Sequence, residues 1–136
     1  IKVITNKGWL KKNKDTNGTI GGEQPIDVAY TIMAMEKFYE VFDNRKYLIK
    51  AGVAFEWFLG NNHLGNMVYN PCTGGCYDGV EADAMNLNQG AESTLGYLLA
   101  RLSLERLRLA DNDFVFKDKN LIRGVERKEV KDLMMS

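Results

Sequence analysis

Four carboxylates stand at positions where two of them could work on one bond. Asp27 lies just after Pro25, Asp78 and Asp83 fall in a glycine-rich stretch, and Glu92 follows Gln89-Gly90-Ala91. Paired carboxyl groups that flank a glycosidic bond hydrolyse it. They stand about 5–5.5 Å apart in retaining enzymes and about 6.5–9.5 Å apart in inverting ones. One member must hold a proton to give to the leaving oxygen. The candidate catalytic residues are therefore Asp27, Asp78 and Glu92, with the acid and base roles open. A plainer reading applies to Asp27 and Glu92, because acids in the first turn of a helix are favoured by its dipole.

Around these acids lie groups suited to a neutral polyhydroxylated ligand. Asn88, Gln89 and Gln24 supply both donors and acceptors, as sugar hydroxyls require. Trp9, Tyr69 and Tyr77 lie outside the helical segments, where an aromatic face can stack on a pyranose ring, whereas Trp57 has the spacing of a core residue. Trp9, Gln24, Tyr77, Asn88 and Gln89 are thus the candidate substrate-binding residues. Asn88 also has a structural alternative, capping the next helix with Glu92 pairing back.

Other chemistries find little support. Cys72, Cys76 and His63 are too few for a structural zinc site, and Asp78-Gly79-Val80-Glu81 lacks the calcium-loop pattern, so no metal and no cofactor is expected. His63 reads as a loop hydrogen-bonder. No phosphate-cradling glycine motif and no nucleophile elbow occurs. Eighteen basic residues balance eighteen acidic ones, which leaves no electrostatic footprint for nucleic acid. No apolar run approaches the roughly 18 residues of a membrane span. Two cysteines make no disulfide framework, and a cytoplasmic location with free thiols is expected.

The elements that must position these residues are helices. With 136 residues, 45% of them hydrophobic, the chain suits one domain. Residues 1–24 read as an extended polar lead-in. A helix is expected over 25–42, opened by Pro25 and apolar almost all round, hence buried on more than one side. A second is expected over 46–59, capped by Asp43 or Asn44 and ended by Gly60. The short link between them forces an antiparallel hairpin. A third should run over 90–109, followed by a charged tail at 111–136. The domain proper is then 25–110. If the helices alternate in direction, the first and third start at the same end, which would bring Asp27 and Glu92 together. A polar connector as long as 61–88 is uncommon inside a compact domain unless it is functional or disordered, and its aromatics favour order.

Several blocks carry a family resemblance: Gly8-Trp9, Gln24-Pro25-Ile26-Asp27, Trp57-Phe58-Leu59-Gly60-Asn61, Thr73-Gly74-Gly75-Cys76-Tyr77-Asp78-Gly79 and Asn88-Gln89-Gly90-Ala91-Glu92-Ser93-Thr94. Over about residues 8–106 the chain resembles the C-terminal part of an α/α-toroid domain of the six-hairpin glycosidase-like class. Such domains occur in bacterial and archaeal proteins labelled glycosyltransferase. The resemblance implies an all-α fold of antiparallel α/α hairpins, forming part of an (α/α)6 toroid. Three helices would be the final quarter of about twelve. It implies carbohydrate metabolism, with an oligosaccharide bound, and hydrolysed if the domain is catalytic, at the toroid mouth. The alternative is a non-catalytic helical scaffold serving a fused or neighbouring glycosyltransferase. In either case the wide apolar helix faces should pack on the rest of the toroid or on a second copy.

Overall fold

The computed structural model describes residues 20–111. Three helices pack together, joined by an ordered connector that contains a two-stranded antiparallel sheet. Helix α1 spans Pro25–Phe42, α2 spans Lys46–Phe55, and α3 spans Ala91–Ala110. Trp9 and the charged tail at 112–136 lie outside the described residues.

The helix ends follow local chemistry. Pro25 opens α1 at a position whose N–H would have no helical partner. At the other end Asp43 takes a left-handed conformation (φ 46°) and its N–H closes on the Tyr39 carbonyl at 2.8 Å. The Asn44 side chain then accepts a hydrogen bond from the Lys46 N–H at 3.0 Å, one residue ahead of Arg45, the N-cap of α2, whose own side chain makes no cap bond. The expected helix over 46–59 tightens into a 3-10 turn at Glu56–Leu59 and stops at Gly60, whose φ of 106° suits a residue without a Cβ.

Helix α1 lies between the other two. Its link to α2 is three residues long, and Phe38 near its end meets Tyr47 at the start of α2 (ring centroids 5.4 Å), so the two helices are antiparallel. Its relation to α3 is parallel. Gly96 sits against Ile26 and Ala29, and ten residues further along both helices Arg106 reaches Glu36. The buried side of α3 is Ser93, Gly96, Tyr97, Ala100, Ser103, Leu104 and Leu107, a helical stripe of mostly small residues that lets the two backbones approach. Only Pro25, Val28, Ala29, Ile32 and Glu36 of α1 are fully buried. Tyr30, Phe38, Val41 and Phe42 stay exposed, so the all-round apolar character of α1 is not covered by packing among the described residues.

The aromatic core forms where the connector meets the helices. Phe55, Phe58 and Tyr97 are mutually in contact at 5.3–5.8 Å between ring centroids. Tyr69 stacks on Tyr97 at 4.4 Å with 11° between the planes. The connector is anchored by its backbone: the Val68 and Tyr69 N–H groups donate to the Phe58 carbonyl, and the Tyr77 N–H donates to the Val68 carbonyl. Gly79–Val80 (β1) pairs with Met85–Asn86 (β2), and Val80 exchanges both backbone hydrogen bonds with Glu23. An all-α reading therefore needs this small sheet added. An ordered loop must find partners for its buried N–H and C=O groups, and short β-pairing supplies them.

Residues just before α1 are built into the same sheet. Gly21 has φ 91°, and a Cβ there would collide with the backbone of Glu81 and Ala82. A glycine is required by both conformation and space.

Candidate functional site

Because α1 and α3 are parallel, their starts share one end of the domain, and the connector folds over it. Asp27, in the first turn of α1, is half-buried. Its carboxyl makes no hydrogen bond or ion pair among the described residues. Burial raises its pKa, and the nearby Glu92 carboxylate, in the first turn of α3, raises it further. The helix dipole acts in the opposite direction at this position. Asp27 and Glu92 thus form a carboxyl pair in which Asp27 binds its proton more tightly than an ordinary aspartate. Their separation in sequence is bridged entirely by the parallel packing of the two helices.

Asp78 has a different place. Its Oδ1 accepts hydrogen bonds from the Gly90 N–H at 2.8 Å and the Ser93 hydroxyl at 2.6 Å. Gly90 is the N-cap residue of α3 and has no side chain to cap with. Asp78 performs the cap from the connector, satisfying a first-turn donor and placing a carboxylate at the positive end of the helix. Asn88, the capping alternative, does not fill this role. Its carbonyl accepts from the Asp78 N–H at 2.8 Å, and its side chain is exposed.

The remaining residues divide similarly. Gln89 accepts a hydrogen bond from the Thr73 hydroxyl at 2.6 Å, and its amide end lies where a Cβ on Gly75 would have to displace it. Tyr77 packs on the core, and its hydroxyl accepts from the Asn70 amide at 3.0 Å. Tyr69 has one face taken by Tyr97. Gln24 is the N-cap residue of α1 but makes no side-chain cap bond, which leaves its amide available at the same end as Asp27. Asp83 is exposed on the turn between β1 and β2.

A further cluster at this end joins residues that share no spacing in the sequence. Glu23 Oε2 accepts a hydrogen bond from the Trp57 indole N–H at 2.6 Å, while its Oε1 lies 3.5 Å from His63 Nδ1. The other ring nitrogen of His63 faces two carbonyl oxygens, Glu81 at 2.8 Å and Ala82 at 3.2 Å. Only an Nε2–H suits two acceptors, so the geometry assigns the proton there. The ring is a clasp joining the 61–66 loop, the sheet and the entry to α1. Trp57 is buried as its spacing indicated, yet its polar edge belongs to this cluster.

Cys76 is fully buried, and burial pushes its thiol up to about 12, with the Asp78 charge adding to the effect. Cys72 is exposed. No group of three or more His, Cys, Asp or Glu residues able to hold a metal ion occurs among the described residues. No helix among them is long and apolar enough to cross a membrane.

Neither the protein-family models nor the curated proteins contain a match to this chain. Its function must be argued from the site itself.

Proposed function

We propose that this chain is a carbohydrate-active domain, one part of an α/α toroid, which binds an oligosaccharide at the end where α1 and α3 begin. The observation that carries the reading is the Asp27–Glu92 pair. Asp27 binds its proton more tightly than an ordinary aspartate and its carboxyl has no partner among the described residues, while Glu92 is exposed near it. Glycoside hydrolysis requires two carboxyl groups, one of which keeps a proton to donate, and the raised pKa of Asp27 suits it to that role. Gln24, the N-cap residue of α1, and Asn88, two residues before the N-cap of α3, would add hydrogen-bonding groups at this end. In this reading Asp27 is the general acid, Glu92 is the base or nucleophile, and Asp78 holds α3 in place.

The outer faces fit a domain that continues beyond these three helices. Leu95, Leu98, Leu99, Leu102 and Leu109 are all exposed on the side of α3 away from α1. Apolar surface of this extent marks an interaction face, and the rest of the toroid or a second copy would cover it.

The test is a titration with mannose- and glucose-based oligosaccharides followed by tryptophan fluorescence. Trp57 is a suitable reporter because its indole is bonded to Glu23 beside the start of α1. A saturable change that Asp27→Asn and Glu92→Gln both abolish supports the reading. A saturable change indifferent to both substitutions, or none at all, overturns it. Where turnover is detected, Asp27→Asn should lower it by about 10²–10⁴-fold, the usual worth of a general acid.

A second reading has its own support. The polar groups of Asp78, Tyr77 and Gln89 are spent on partners within the fold. A connector built this way also suits a non-catalytic scaffold serving a glycosyltransferase. Sugar binding absent from a longer, fully covered toroid, together with binding to such an enzyme, would favour that reading.

A further inference from the structure

At the opposite end of the domain, where α1 and α3 finish, a cavity of about 290 Å³ opens between them. Glu36 lies in its wall and is only 3% exposed. Its one polar partner among the described residues is Arg106, whose Nη1 stands 3.5 Å from Oε1. Charge-assisted hydrogen bonds of this type are usually about 2.7–2.9 Å. The Arg106 side chain is also 69% exposed, so its guanidinium remains largely in water. A buried carboxylate normally has close, complete pairing, because leaving water costs several kcal/mol. Glu36 has one long contact, and it faces a cavity.

Other features of the cavity favour a cation, although Arg106 lines it and Arg108 stands in the last turn of α3. Glu40 and Asp43 bring further carboxylates to it, and of these two only Glu40 has a basic partner among the described residues, Lys37 at 2.6 Å. The carbonyl ends of two parallel helices point to this side, which adds partial negative charge. Helix α1 has no basic residue in its last turn to offset it. The remaining walls come from Tyr39, Leu107 and Ala110. These acids do not form a group able to hold a metal ion. A cation with an apolar body is the better match.

We propose that this cavity binds an aliphatic chain ending in an ammonium or guanidinium group. The charge sits on Glu36 in place of Arg106, and the stem lies along Leu107 and the Tyr39 ring. The volume is at the small end of ligand sites, which suits a stem of four or five carbons. The same chemistry is presented by a small free amine and by a basic side chain of a peptide. The inference is independent of the sugar site.

The experiment is amide NMR of the full chain during titration with n-butylammonium and n-butylguanidinium chloride. Sodium chloride at matched ionic strength and n-butanol serve as controls. N-acetyl-arginine methylamide tests the peptide source. Saturable shifts at Tyr39, Leu107 and Ala110 with the cations, and not with the controls, are expected. Glu36→Gln should weaken binding by about tenfold or more, as expected for loss of a charge-assisted contact. Arg106→Ala should tighten it several-fold by removing the competing cation. If Glu36→Gln does not fold, Arg106→Ala decides. Absence of saturable shifts in both the native chain and Arg106→Ala overturns the proposal. So does an equal response to n-butanol, or an affinity that Arg106→Ala leaves unchanged or lowers. Equal binding of the blocked arginine points to a peptide side chain, and selective binding of the free cations points to a small amine.

Discussion

Asp78 caps helix α3 from twelve residues away: its Oδ1 accepts the Gly90 N–H at 2.8 Å while also holding the Ser93 hydroxyl. The helix could not cap itself with glycine at that position. Asp78→Ala should therefore destabilise the fold by about 1–3 kcal/mol, the range for losing a cap and a charged hydrogen bond. For a domain of this size that lowers Tm by roughly 4–8 °C per kcal/mol. Urea denaturation with an unchanged m-value would check it. A variant as stable as the native chain would mean that the cap contributes nothing and would return Asp78 to the list of catalytic candidates.

Gly90 and Asp78 should also be coupled. The backbone at Gly90 is ordinary extended conformation (φ −69°, ψ 158°), open to any residue. A Cβ there would nevertheless come within 2.8 Å of Asp78 Oδ1. Gly90→Ala should thus cost on the order of 1 kcal/mol, entirely by displacing the cap. In an Asp78→Ala background most of that cost should vanish. A double-mutant cycle with a coupling energy above about 0.5 kcal/mol is the expected result, and simple additivity would show that the contact is not strained.

The same pair shows what the residues disclose on their own. The span of α1 and the break after Gly60 follow from Pro25, Gly60 and the helical period of apolar residues, all of them local signals. The meeting of Asp27 and Glu92 followed from alternating helix direction. The Asp78 cap did not follow, because it joins groups distant in sequence and only the folded connector brings them together. Asn88 is a polar residue with capping chemistry close to the helix start, yet it is its carbonyl that is used. The Glu23–Trp57–His63 cluster was hidden for the same reason. A glutamate before a helix, a core tryptophan and a loop histidine carry no common spacing. The strands Gly79–Val80 and Met85–Asn86 are too short to show a period of two.

Asp27 predicts a pH effect with a definite sign. Its pKa in the folded protein lies above the ordinary 3.8. The folded state therefore binds this proton more tightly than the unfolded one. The stability it contributes is fully present below the unfolded pKa, and is lost as pH rises through the folded value. Asp27→Asn should remove this part of the pH dependence, making the variant relatively more stable than the native chain above the folded pKa. Glu92→Gln should lower the pKa of Asp27, since one of the two causes is removed while burial remains. Carboxyl NMR of the two proteins would show the shift. An unchanged Asp27 titration in Glu92→Gln would separate the pair and remove the main support for acid–base chemistry at this end.

The two cysteines give the most direct test of the packing around the connector. Cys72 is exposed, whereas Cys76 is buried against the core with its thiol raised to about 12. At pH 8 the thiolate fraction of Cys76 is on the order of 10⁻⁴, and a thiol reagent attacks the thiolate. A single equivalent of label should enter the native protein, at Cys72, and the second should enter only at the rate of unfolding. The raised thiol also implies that stability falls as pH climbs from 9.0 towards 12, because the unfolded state releases this proton first. Cys76→Ala should flatten that alkaline decline while costing about 1–2 kcal/mol at neutral pH through the small void left beside the core. Rapid native-state labelling of both cysteines would show that the connector opens readily. It would then be a poor platform for holding α3, and with it Glu92, in a fixed relation to Asp27.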